Sequence, residues 1–185
     1  MSFRMFSYFC QLIGDINLEL TKIERLSLIN QYLILEKLYP EEQEHYSELR
    51  QALENGYTLH YSWCFDFLSD DMPIDECKKV LDILDLYRSI TYSAMDLKNV
   101  EITKHHYFKF SGFDGNNEPE YMGYTDFFIK KLGRFDELLY DNPNRSFNSH
   151  CPMLPKYERM LNVWKHEINK NYQLSSDQIL LLLEA

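Results

Sequence analysis

Apolar positions along this chain recur mostly at three- and four-residue intervals. From about residue 20 onward they predict helix after helix. In residues 20–40, LTKIERLSLINQYLILEKLYP, two stripes stand out: Leu26, Ile29 and Leu33 form one, and Leu28, Tyr32, Leu35 and Tyr39 the other. Two stripes give one helix a wide apolar face. Pro40 ends it and opens the next, whose first turn is acidic (Pro40-Glu41-Glu42) and whose C-cap is Gly56. Residues 57–71 are ambiguous. Leu59, Trp63 and Phe67 fit a helical stripe, while the aromatic content would also suit a strand. The helical reading is favoured.

Residues 73–97 give the clearest helix, with Asp71 as its cap and Pro73 in its first turn. Apolar residues leave only a narrow polar stripe through Lys78, Asp82, Asp85 and Ser89. That pattern predicts a helix surrounded by others. Residues 116–133 predict a helix capped by Asn117 and closed by Gly133. Asn142-Pro143-Asn144 marks a turn. Two more helices follow, over 155–168 and from the cap at Ser175 or Ser176 to the end. The consecutive leucines Leu180–Leu183 need covering by the body of the protein or by a neighbouring subunit. The expected fold is all-α or predominantly α, a multi-helix bundle-like domain with a less regular stretch near 100–150. The expected organisation is an extension over residues 1–19 and a single domain over 20–185.

The 185 residues are enough for one domain that buries roughly 70% of its unfolded surface. No disulfide or metal staple is needed. The 14 Tyr, 12 Phe and 2 Trp are an excess of aromatics, which predicts a core with a wet boundary or one extending into an interface. Net charge is −10, carried mainly by residues 1–100, which hold 9 Lys/Arg against 17 Asp/Glu. An acidic body is a poor match for phosphate backbones, so nucleic acid is not the expected partner. Cys10, Cys64, Cys77 and Cys151 have no CxxC spacing, so no zinc cluster or redox pair is expected. The N-terminal apolar run is too short to span a bilayer and lacks a signal-peptide cleavage site. A cytoplasmic protein with reduced thiols, away from membranes, is the expectation.

No GxSxG, HExxH or Walker loop occurs. Asp114, Asn116 and Glu118 have the alternate spacing of a calcium loop. However, Pro119 and Thr125 stand where that loop needs Gly and Glu, so a turn and helix cap is the simpler reading. His105-His106 lack further ligands at a metal-site spacing, and no metal or cofactor is expected. Lys130, Lys131, Arg134, Arg145, Lys156 and Arg159 could form a cationic patch, or could pair internally.

PMLPKYERMLNVWKHE, residues 152–167, divides by period into two faces. Met153, Tyr157, Leu161, Trp164 and Ile168 make a core stripe. Arg159, Asn162 and His166 make a polar one, whose partners are either protein groups or a ligand. The candidate ligand-binding residues are therefore Arg134, Tyr157, Arg159, Asn162, His166 and Asp114, with no catalytic residue assigned.

ERLSLINQY, FSGFDGNNEPEYMGY, GRF, FNSHCPM and YERMLNVW, in this order and spacing, resemble the motifs of the bacterial YfbU family. The likeness covers residues 20–185. It implies a compact helical cytoplasmic domain and carries over no catalytic residue. Some relatives are fused to a helix-turn-helix module, which suggests sensing or protein interaction there. The leading expectation is a non-enzymatic regulatory or interaction domain that binds a small ligand, an anion among the candidates, or a protein partner and forms a homo-oligomer. The alternatives are an enzyme on an anionic substrate, with Arg134, Arg159 and His166 converging, and a nucleic-acid-associated stress or defence factor.

Overall fold

The computed structural model describes residues 18–185; the N-terminal apolar run and Cys10 lie outside the described residues. The chain divides into two units, one ending at Asp70 and the other spanning Asp71–Ala185, each with its own buried cluster. The fold is predominantly α-helical. Among the described residues the only extended pairing is an isolated parallel bridge between Phe113 and Asn148.

In the first unit, helix α1 (Lys22–Leu38) opens with a reciprocal cap. The Thr21 hydroxyl accepts the Glu24 N–H, and the Glu24 carboxylate accepts the Thr21 N–H at 2.8 Å. Its inner side places Leu28, Ile29, Tyr32 and Leu35 against a core completed by Leu49, Leu53, Tyr61 and Cys64. Helix α2 (Gln43–Asn55) follows a short 3-10 turn at Pro40–Glu42. Two ties join α1 to α2. Arg50 Nε donates to the buried Glu36 carboxylate at 2.6 Å, and Arg25 Nη1 donates to the Leu53 carbonyl at 3.0 Å. Gly56, in the left-handed region with φ 72°, closes α2 as expected.

Residues Thr58–Cys64 form a 3-10 helix rather than an α-helix or a strand. With three residues per turn, Tyr61 and Cys64 share a side and are buried. The α-helical stripe expected from Leu59, Trp63 and Phe67 consequently lies on the exposed surface.

In the second unit, helix α3 (Ile74–Leu97) is central, buried through Val80, Ile83, Leu84, Leu86, Tyr87, Ile90 and Ala94. Pro73 occupies its N-cap without a side-chain bond, so Asp71 does not cap it. A single turn, α4 (Val100–Thr103), is capped by Asn99. Helix α5 (Pro119–Asp126) continues into a π-helical turn at Phe127–Lys131. The helix starts later than expected because the Asn117 amide donates to Asp114 instead of capping, which leaves Glu118 at the N-cap. A 3-10 turn (Asp136–Leu139), α6 (Leu154–His166) and α7 (Ser176–Glu184) complete the unit.

Ser175 and Gln178 form the capping box of α7. Of the leucine run, Leu182 and Leu183 are fully buried and Leu181 is exposed, so the unit itself covers most of the stripe. The aromatic excess is largely explained here. Tyr87, Phe110, Phe113, Phe147 and Tyr157 pack with ring centroids 5.2–5.9 Å apart, in edge-on and tilted pairs. Polar ties surround this core. Lys79 bridges Glu76 and Glu158, and Asp82 accepts from Lys165 at 2.6 Å and Lys170 at 3.0 Å.

Candidate functional site

The two faces of α6 have different fates. Tyr157, Met160, Leu161 and Trp164 are buried. Arg159, Asn162 and His166 lie on the exposed side. Arg159 donates from Nε to the Ala185 carbonyl at 2.6 Å and from Nη1 to the Pro155 carbonyl at 3.0 Å. Lys156 donates to the Leu183 carbonyl at 2.7 Å and lies over the Tyr107 ring. Burial lowers the pKa of Lys156, and Arg159 adds to the shift. Two cations of the expected patch thus complement the C-terminal carbonyls of α7, where a helix dipole favours positive charge. Lys130 pairs with Asp126 at 2.9 Å, and Arg145 donates to the Phe110 carbonyl at 2.6 Å. Arg134 is exposed just after Gly133.

Tyr157 and Asp114, the remaining sequence candidates, belong to a buried junction. Gly112, at φ 85°, packs so tightly that a Cβ there would sit 2.0 Å from the Phe147 carbonyl oxygen. Its own carbonyl accepts the Tyr157 hydroxyl at 2.9 Å. Next to it Phe113 exchanges two backbone bonds with the 147–149 segment: its N–H donates to Phe147 O at 2.9 Å, and Ser149 N–H donates to its carbonyl at 3.0 Å. Asp114 then accepts from the Asn116 N–H and the Asn117 amide, and these two bonds hold its carboxyl below the usual range. Glu118, 5% exposed, accepts the N–H groups of Asp114, Met153 and Leu154. Its carboxylate therefore supplies the acceptor that the first turn of α6 lacks, because Met153 at the N-cap has no oxygen side chain. The alternate acidic residues of this loop are engaged by protein donors.

Among the described residues, two surfaces with apolar lining bear on binding. In the second unit a cavity of about 310 Å³ is walled by Ala94, Met95, Phe108 and Tyr140, with Thr91 and Glu137 among its polar groups. The Tyr140 hydroxyl accepts the Phe110 N–H at 3.1 Å and lies 3.4 Å from Thr91 Oγ1. Burial raises the pKa of Tyr140 despite these bonds. Glu137 is held by Arg88 at 2.5 Å. Phe135, Tyr140 and Asp141 all adopt left-handed backbone around this turn. Sequence reasoning missed the cavity: its residues come from four separated segments. The single local signal, the turn at Asn142-Pro143-Asn144, marks its edge.

The first unit carries the other open surface, the outer side of α1. Ile23, Leu26, Leu33, Ile34 and Leu38 are between 43% and 81% exposed. The two stripes of the α1 sequence are each divided: Leu28, Tyr32 and Leu35 of one pack inward together with Ile29 of the other, while Tyr39, Leu26 and Leu33 are exposed.

The YfbU domain family matches residues 18–185. A UPF0304 protein of Methanocaldococcus jannaschii is 40% identical over 169 residues, covering 90% of this chain and 99% of its own length. With nearly the whole described chain matched, from the α1 cap to the end of α7, the protein belongs to the YfbU family.

Proposed function

We propose that the chain is a non-enzymatic interaction domain that acts by binding protein and self-associates. The distribution of exposed apolar side chains carries this reading. The first unit presents eleven large ones within residues 18–70, while the second presents nine within the much longer 71–185. Exposed apolar surface concentrated in one region is the mark of an interaction site. Native mass spectrometry of the purified protein tests the reading. A mass that is a multiple of 22.3 kDa is expected; a 22.3 kDa species alone at tens of micromolar would overturn it.

A second reading, binding of a small ligand, rests on the cavity beside Tyr140. Its volume lies at the low end of the roughly 300–1,000 Å³ found for small-molecule sites. On this reading a ligand would bind away from Arg134, Arg159, Asn162 and His166, none of which lines the cavity. Arg159, on which an anionic-substrate enzyme would depend, is already engaged by two carbonyl oxygens.

A further inference from the structure

We propose that the outer face of α1 is a self-recognition seam that pairs antiparallel with α1 of a second copy, with Asn30 meeting its twin on the two-fold axis. This names the partner and the face within the interaction reading above, and rests on it. The seam residues are Ile23, Leu26, Asn30, Leu33 and Lys37, spaced three, four, three and four, which is the spacing of a helix-pairing stripe. Ile34 and Leu38 flank them. All seven are exposed, while the opposite side of the helix holds the core contacts of Leu28, Tyr32 and Leu35.

Three observations select a second copy over a different protein. First, α1 spans residues 22–38, so Asn30 is its midpoint. In a two-fold pair of identical helices the midpoint side chain faces itself. An amide is at once donor and acceptor, and can satisfy its twin where an apolar partner would leave it unpaired. Second, charge favours the antiparallel arrangement. In it, residue i faces residue 60 − i, so Lys37 of one copy meets Ile23 of the other rather than its own twin. A parallel pair would instead stack Lys37 on Lys37. Leu26 then meets Ile34, and Leu33 meets Ser27. Third, the area is right for an isologous contact. The five apolar side chains expose on the order of 500 Å², near the top of the range for the largest patch on a monomer. That is more than half of the ~800 Å² per partner that a stable complex buries, and Asn30, Lys37 and the backbone of the seam add to it.

The test is sedimentation velocity on the full chain across a dilution series, with circular dichroism to verify folding. The variants are Leu26→Lys with Leu33→Lys, and Leu59→Lys with Phe67→Lys. A wild-type dimer weakened about 100-fold or more by the α1 pair, and unchanged by the other pair, is the expected result. If the dimer survives the α1 pair and is lost with Leu59→Lys and Phe67→Lys, the seam is wrong but self-association stands. A monomeric wild type overturns both. Should the α1 pair fail to fold, Asn30→Cys serves instead. Under oxidation it is expected to yield a crosslinked dimer above the wild-type background of native thiols. No gain over that background would overturn the two-fold placement.

Discussion

The carboxylate of Glu118 accepts the backbone N–H of Met153 at 3.0 Å, across 35 residues of sequence, and the N–H of Leu154 at 2.8 Å. One buried side chain thereby caps a helix it does not belong to, while holding its own loop through the Asp114 N–H. The bonds from Met153 and Leu154 are charge-assisted and sit at the positive end of α6. Glu118→Gln keeps the shape but removes the charge and can turn an NH2 donor toward the N–H groups. It is expected to cost about 2–4 kcal/mol. Glu118→Ala, which strands three donors, is expected to cost about 3–5 kcal/mol. Urea denaturation followed at 222 nm measures both. A Gln variant as stable as wild type would mean that the carboxylate does not tie the loop to the helix.

Gly112 and Gly123 should respond oppositely to alanine. At Gly112 the new Cβ would meet backbone of Phe147 at 2.0–2.6 Å, at a φ of 85° that side chains rarely adopt. Neither problem can be relieved by a rotamer change. The Phe113–Asn148 bridge would have to part, and Gly112→Ala is expected to lose more than about 3 kcal/mol or fail to fold. Gly123 lies within α5 with nothing within 4 Å of its Cβ position. There alanine is expected to add about 0.5–1 kcal/mol, the helix-propensity difference. Thermal melts of the two single variants read the contrast, and equal shifts would count against the close approach at Gly112.

This pair also shows what the sequence could reveal. Most helices were legible, because apolar spacing and local caps such as Ser175–Gln178 act within a few residues. Tyr157, Leu161 and Trp164 were legible as core for the same reason. The contacts that place the candidate sites were not. Glu118 capping α6, Gly112 against Phe147, and Tyr140 beside Thr91 each join segments 30 or more residues apart. Nothing in the spacing of either segment encodes that meeting. Residues 57–71 misled for a different reason: a 3-10 helix and an α-helix share local composition but expose different residues. The exposed side of α1 was half legible. Two apolar stripes were evident, and only packing shows which residues of each turn outward.

Asp82 and Asp85, one turn apart on α3, should give stability opposite pH dependences. Burial opposes ionisation of Asp82, but Lys165 and Lys170 outweigh it and hold the carboxyl below its ordinary 3.8. Its contribution is present above pH 3.8 and lost as pH falls through the lower folded value. Asp85 is raised above 3.8, because burial outweighs the nearby Arg88. Its ionised form is disfavoured in the folded state, so its unfavourable contribution develops as pH rises through that range. Asp82→Asn is expected to destabilise by about 1 kcal/mol at pH 7, with the difference fading below pH 3.8. Asp85→Asn is expected to be neutral or stabilising at pH 7, with its difference also vanishing in acid. Urea midpoints between pH 2.5 and 7 separate the two, and parallel curves of one sign would contradict the assigned shifts.

The two tryptophans report on different units. Trp164 is fully buried, donates from Nε1 to the Asn171 carbonyl at 2.9 Å, and meets the edge of Tyr172. Trp63 is 45% exposed beside His60, with ring centroids 4.2 Å apart. Trp63→Phe should therefore leave blue-shifted emission that resists acrylamide, and Trp164→Phe should leave red-shifted, readily quenched emission. In urea the Trp63 signal is expected to change first, because the first unit's buried cluster is far smaller than that around α3. If α1 pairs with a second copy, mass action adds a further dependence: dilution should lower the Trp63 midpoint and leave that of Trp164 in place. Coincident midpoints would mean that the two units unfold as one. Separate midpoints with no effect of dilution would preserve their independence and remove the stabilising role of the α1 pair.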